Sequence, residues 1–174
     1  MTPSFYKVKR GFTLVELLTA VSIVAILAVA VVPGMIDLVK DSRLSSQTDT
    51  LVSALNEARL EAIKQRTDIK FCPATSNANS DTTCGQATDW GKGWLALKGT
   101  SVIQRYDTKT GLNITGKTSD AAATAITSVT FNGTLGNATT AATFTLCLTG
   151  RKAQSVSVTA SGHVIKGITT TTCS

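Results

Sequence analysis

Few residues in this chain are of a type that could do chemistry, and the four cysteines, Cys72, Cys84, Cys147 and Cys173, are the first of them. Thiols ligate metals, attack as nucleophiles or oxidise to disulfides. There is no Cys-x-x-Cys pair, and His163 is the only histidine, so a zinc site lacks its ligands. No serine or cysteine stands in a nucleophile elbow, and the acids form no metal or acid–base cluster. The reading is therefore no catalytic residue, no metal and no cofactor. His163 follows a turn glycine and reads as an exposed strand residue. Oxidation remains for the cysteines. Four of them allow three pairings. Cys72 with Cys84, bracketing one polar loop, and Cys147 with Cys173, pinning the carboxy terminus to an inner strand, are favoured. Each closure adds about 2–4 kcal/mol, mainly by restricting the unfolded chain.

Glu16 is the other residue whose position asks for a reason, since it lies at the head of the only long apolar run. Residues 17–36 are twenty in a row without a charge, and about 20 predominantly apolar residues suffice to cross the bilayer hydrocarbon as a helix. Lys7, Lys9 and Arg10 are the only cationic flank on the amino side, which leaves that end in the cytoplasm and sends the rest across the membrane. The cysteines then fall on the oxidising side. A secretory signal peptide would close its apolar run with a small-residue cleavage site; here the bases end at Gly11 and no Ala-x-Ala pattern follows. An acid within a membrane helix costs up to about 2.5–3.5 kcal/mol and marks function. Pro33 and Gly34 interrupt the run, where proline removes a backbone hydrogen bond, so a helix break is expected.

The elements that position these residues follow from periodicity. Leu44, Thr48, Leu51, Leu55, Ala58 and Ala62 recur every three or four positions and predict one apolar stripe, with Asp49, Glu57, Glu61, Lys64 and Arg66 on the opposite face. The stripe is too short for a coiled coil and is followed by strand-like sequence, so it packs on a sheet of its own chain. Short Thr-, Val- and Ile-rich runs predict strands at residues 69–72, 93–98, 102–106, 125–131, 143–148, 155–159 and 163–168. Asn132-Gly133 and Ser161-Gly162 are turn signals, and the latter makes a hairpin of the last two strands. Residues 75–83 and 115–127 read as surface loops. About 100 residues beyond the helix suffice for one small core.

Charge is unevenly spread. Residues 37–89 hold six bases against eight acids, whereas residues 90–174 hold eight bases against two acids. Arg151, Lys152, His163 and Lys166 are the candidates for a basic face that would attract nucleic acid phosphates in a salt-dependent way. Few aromatic residues are interleaved with them to stack on single-stranded bases.

Lys9-Arg10-Gly11-Phe12-Thr13-Leu14-Val15-Glu16-Leu17-Leu18, followed by an apolar helix carrying Pro33, resembles the amino terminus of type IV pilins and of the pseudopilins of type II secretion. The resemblance implies that a prepilin peptidase cleaves between Gly11 and Phe12 and methylates the new amino group of Phe12. It also implies that Glu16 pairs with such an amine, of its own chain or of a neighbour. Downstream, residues 51–64, Cys72-Pro73, Trp90-Gly91-Lys92-Gly93-Trp94, Val129-Thr130-Phe131-Asn132-Gly133 and Phe144-Thr145-Leu146-Cys147 resemble the GspH/FimT group of minor pilins.

The implied fold is α+β, a pilin fold with a long amino-terminal helix on an antiparallel β-rich domain. Its parts would be a leader at 1–11, a transmembrane and assembly half-helix at 12–36, an amphipathic half at 37–66 and a periplasmic globular domain at 67–174. The implied location is the bacterial inner membrane, then the filament. Implied partners are other minor and major pilins, the prepilin peptidase and the inner-membrane assembly platform. The implied role is a non-enzymatic subunit that primes a type IV pilus at its tip, with a type II secretion pseudopilin and a DNA-binding minor pilin for natural transformation as alternatives. DNA-binding members carry Gly-Arg-x-Arg near the carboxy end; here the matching residues are Gly162-His163-Val164-Ile165, and both arginines are missing.

Overall fold

The computed structural model describes residues 11–109 and 111–173, with backbone only for residues 29–33. Lys7, Lys9 and Arg10 of the expected leader lie outside the described residues. The chain divides into two units, Met1–Val39 and Lys40–Ser174.

The first unit contains the start of α1 (Leu14–Gln65). Every apolar side chain described there is exposed, including Phe12, Leu14, Leu17, Val21, Ile26 and Leu38. Among the described residues no helix is long and apolar enough to cross a membrane; residues 29–33, whose side chains are not described, fall in the middle of the uncharged run. The helix assignment continues through Pro33 and Gly34, where a break was expected. One proline removes one bond of the ladder and leaves the turns on either side intact.

In the second unit α1 supplies a buried stripe of Leu44, Gln47, Thr48, Leu51, Ala54, Leu55, Ala58 and Ala62, on the 3.6-residue period. Thr48 satisfies its hydroxyl on Leu44 O at 2.8 Å, so it is buried without an orphan donor. The helix ends in a Schellman motif. Thr67 N donates to Ala62 O and Arg66 N to Ile63 O, with Arg66 at φ +50°. A non-glycine residue in that region costs about 1–2 kcal/mol.

The strands are β1 (Ile69–Pro73), β2 (Trp94–Lys98), β3 (Ser101–Tyr106), β4 (Asn113–Thr118), β5 (Val129–Phe131), β6 (Ala142–Cys147), β7 (Lys152–Val158) and β8 (Val164–Thr172). They form two four-stranded sheets, ordered β3-β2-β1-β5 and β4-β6-β7-β8, with every pairing antiparallel. One core joins the helix stripe to both sheets through Phe71, Trp90, Trp94, Phe131, Phe144 and Leu146. Trp90 meets Phe144 edge-on at 4.7 Å and donates its indole N–H to Ile126 O at 2.9 Å, as a buried tryptophan requires.

Strand β4 corrects the sequence reading, which placed residues 115–127 in a loop. Ile114 and Gly116 are its inward positions. A Cβ on Gly116 would lie 2.9 Å from Phe144 and 3.0 Å from the Trp90 indole nitrogen. The apolar contact that normally announces a strand is thus supplied by the neighbours' aromatic rings. Conversely, the strand expected from residue 125 begins at Val129, and Ala125 makes only an isolated bridge to Lys117.

Candidate functional site

Two sets of residues singled out from the sequence lie in separate units. In the first, Gly11 precedes the helix in irregular backbone with open space around it, so the Gly11–Phe12 peptide is accessible to a protease. Phe12 is 75% exposed. Thr13 caps the helix: its Oγ1 accepts the Glu16 N–H at 3.2 Å, and its carbonyl accepts the Leu17 N–H at 3.1 Å. Thr13 and Glu16 therefore occupy the N-cap and N3 positions of the helix.

The Glu16 carboxylate stands in the first turn, where the helix dipole favours an anion by about 0.3–1 kcal/mol. The hydroxyls farther on are satisfied locally, Thr19 on Glu16 O at 3.0 Å and Ser22 on Leu18 O at 2.8 Å. Glu16 is left as the one acid in an otherwise apolar turn, four residues from the position at which cleavage would create an amine. An ammonium and a carboxylate there would form a charge-assisted pair whose strength grows as water is excluded. The sequence reading did not single out Thr13 as the helix cap, although Thr-x-x-Glu before an apolar run is a visible signal.

The second set lies on one sheet of the second unit. Arg151 immediately precedes β7, Lys152 opens it and Lys166 is on β8, where it faces Val156 across the ladder. His163 is exposed at the β7–β8 turn, which closes with the Thr159 N–H on His163 O at 2.9 Å and the Gly162 N–H on Thr159 O at 2.8 Å.

Two of the bases are paired with acids of the helix. Arg151 makes a bidentate pair with Asp41, its Nε 2.6 Å from Oδ1. Lys166 donates to Asp49 Oδ1 at 2.6 Å and to Ser45 Oγ at 3.1 Å. On the other flank of the stripe, Tyr106 donates to Glu57 Oε2 at 2.7 Å. Burial, with the Glu57 carboxylate beside it, pushes the Tyr106 phenol well above its ordinary range. Two helix acids expected on a solvated face, Asp49 and Glu57, thus bond to β8 and β3, while Glu61 bonds to Lys64 and Gln65 of the helix itself.

Both disulfides close in the favoured pairing, Cys72–Cys84 and Cys147–Cys173. The first brackets a loop in which Asp81 accepts the Ser76 and Asn77 N–H groups, at 2.6 and 3.0 Å. Those bonds hold its carboxyl below the usual range. Among the described residues no group of three His, Cys, Asp or Glu is placed to hold a metal ion.

The family model described as type II transport protein GspH matches residues 47–162, and the prokaryotic N-terminal methylation motif matches residues 6–32. Among solved structures, the type IV minor pilin FimU of Pseudomonas aeruginosa is similar in two crystal forms. One gives 22% identity and a TM-score of 0.56, covering 75% of this chain and 92% of that one. The other gives 23% identity and a TM-score of 0.54, covering 71% and 92%. The minor pseudopilin EpsH of Vibrio cholerae gives 11% identity and a TM-score of 0.49, covering 72% and 97%. At these identities the likeness to FimU is one of fold. No curated protein matches.

Proposed function

The chain belongs to the family of the type II transport protein GspH, structural and non-enzymatic subunits of the minor pilin and pseudopilin kind, and from that premise we propose that it primes assembly of a type IV pilus within a tip or initiation complex. The supporting observation is the exposure of the entire apolar surface described between Phe12 and Leu27. A helix apolar all round needs lipid or other helices to cover it. In this reading residues 17–36 are held in the inner membrane until the subunit is extracted, with the Lys40–Ser174 unit in the periplasm. Prepilin peptidase frees the Phe12 amine, and Glu16, positioned by the Thr13 cap, receives an amine of its own or a neighbouring chain as the helices come together on the assembly platform.

A type II secretion pseudopilin would use the same Glu16 chemistry. DNA capture would draw on Arg151 and Lys166, whose charges are already paired with Asp41 and Asp49. The deciding experiment is a deletion strain scored for surface pili, type II secretion and transformation in parallel. Lost piliation with normal secretion supports the reading. Normal piliation with lost secretion moves the protein to the secretion machine, and normal piliation with lost transformation moves the function to DNA.

A further inference from the structure

The turn dipeptide Asn132-Gly133 also carries a backbone chemistry of its own, and no other asparagine of the chain precedes a glycine. Asparagine is a thermolabile residue, and a following glycine, lacking a side chain, leaves its amide nitrogen unhindered. When the Gly133 nitrogen attacks Asn132 Cγ, a carbon–nitrogen bond forms. The Gly133 amide proton goes to a base, and the Nδ2 group takes up a proton and leaves as ammonia. Water opens the resulting succinimide at either carbonyl, to aspartate or to isoaspartate.

Both reacting groups are engaged elsewhere in the fold. The Gly133 N–H donates to Asp68 Oδ1 at 2.9 Å, across 65 residues of sequence. The Asn132 carboxamide is held by its Oδ1, which accepts the Thr134 N–H at 2.8 Å. The Asn132 backbone is fixed on both sides, its N–H on Asn137 O at 2.8 Å and its carbonyl under the Gly136 N–H at 2.9 Å. Gly133 has to be glycine, because a Cβ there would lie 2.2 Å from Thr67 N and 2.5 Å from Arg66 C. An aspartate at 132 could cap the same Thr134 N–H, but it would set a second carboxylate on the amide next to the one that Asp68 holds, and like charges oppose each other. Packing thus requires the glycine and charge favours the asparagine, which leaves the labile pair in place.

We propose that Asn132-Gly133 is a deamidation site held shut by Asp68. Attack needs the nitrogen about 3–3.5 Å from Cγ and aimed at it, whereas its N–H is directed at the Asp68 carboxylate. Loss of that proton would also build negative charge beside an existing carboxylate. As a general base a carboxylate is poorly matched to neutral pH, so Asp68 restrains the attack and does not promote it. An isoaspartate would lengthen the backbone by one carbon where Gly133 touches the helix end, and it would bring the second carboxylate to Asp68. The inference is independent of the filament-subunit reading above.

The test follows the full chain in detergent at mildly alkaline pH, with deamidation and isoaspartate at position 132 quantified by peptide mass spectrometry. Folded wild type is expected to react at least about tenfold more slowly than the same chain unfolded in guanidinium chloride. Asp68→Ala, folded by circular dichroism, is expected to react about ten- to hundredfold faster than folded wild type, the worth of a hydrogen bond to a charged group. Asp68→Asn keeps an acceptor for the Gly133 N–H and should be faster by roughly fivefold, which keeps the test decisive if the alanine variant does not fold. Val156→Ala, which loosens the core at β7, should stay near the wild-type rate. Folded wild type reacting as fast as unfolded chain overturns the proposal, as does a wild-type rate in both Asp68 variants. Slower reaction in those variants would make the carboxylate a base, and Val156→Ala as fast as Asp68→Ala would make general unfolding the cause; either result overturns it.

Discussion

Thr13 and Glu16 have separate roles at the first turn in the proposed reading: the threonine hydroxyl holds the Glu16 N–H, and the carboxylate would receive an ammonium group. Removing the two should therefore have different effects. Glu16→Ala is expected to leave processing intact while processed subunit accumulates in the membrane, read by comparing mature-sized protein in membrane and sheared-filament fractions. Incorporation at the wild-type level would defeat the pairing. Thr13→Ala loses a cap worth about 1 kcal/mol and should lower incorporation less. In the second unit, the partly exposed Asp41–Arg151 pair should show a coupling of about 1 kcal/mol or less in a double-mutant cycle of urea unfolding, diminished by salt. This pair and Lys166–Asp49 bridge sequence separations of 110 and 117 residues. No local pattern could have matched those partners, which is why both bases read as candidates for DNA.

At the scale of elements, the helix stripe was legible because all six residues predicted from the three-and-four spacing are buried. Leu51→Ala, which empties a fully buried position in the common core, should cost about 2–5 kcal/mol, measured by denaturant midpoint at constant m-value. Strand β4 was illegible for the opposite reason. Of its two inward positions, Ile114 and Gly116, the second is filled by Trp90 and Phe144 from elsewhere, so only one apolar residue of the period-2 signal stands in its own sequence. The disulfides were legible from what each pair brackets. Replacing Cys147 and Cys173 together by alanine should lower stability by about 2–4 kcal/mol and loosen the end of β8, visible as faster amide exchange there.

For the whole molecule, the titrating groups define a window of stability. Asp89 is held below its ordinary range by its bond to Lys92 and by the Gln86 N–H. Asp81 and Asp120 are lowered by bonds from neighbouring backbone and hydroxyl groups. A depressed folded value means stabilisation present above the unfolded pKa, about 3.9 for aspartate, and lost as pH falls through the folded values. Tyr106 has the reverse sign for an acid. Its raised value stabilises the neutral form, so that contribution is present below about pH 10 and is lost as pH rises beyond it. Unfolding of residues 37–174 should show a plateau between these limits. Asp89→Asn should flatten the acid limb, and Tyr106→Phe the alkaline one; limbs unchanged in both variants would show that other groups set them.

The β7–β8 turn sits under a hard geometric constraint. Gly162 is at φ +79°, and a Cβ on it would lie 2.0 Å from Gly136 O. Arg59 ties the same two turns to the helix through Gly136 O at 3.0 Å and Ser161 O at 3.3 Å. His163, one residue on, is open to solvent. The loop is thus a fixed bracket with an interchangeable fitting: mutation can exchange the chemistry displayed at 163 without touching the backbone that presents it, whereas drift at 162 is closed. Saturation of both codons, sorted for folded protein, should return almost only glycine at the first and nearly the full alphabet at the second.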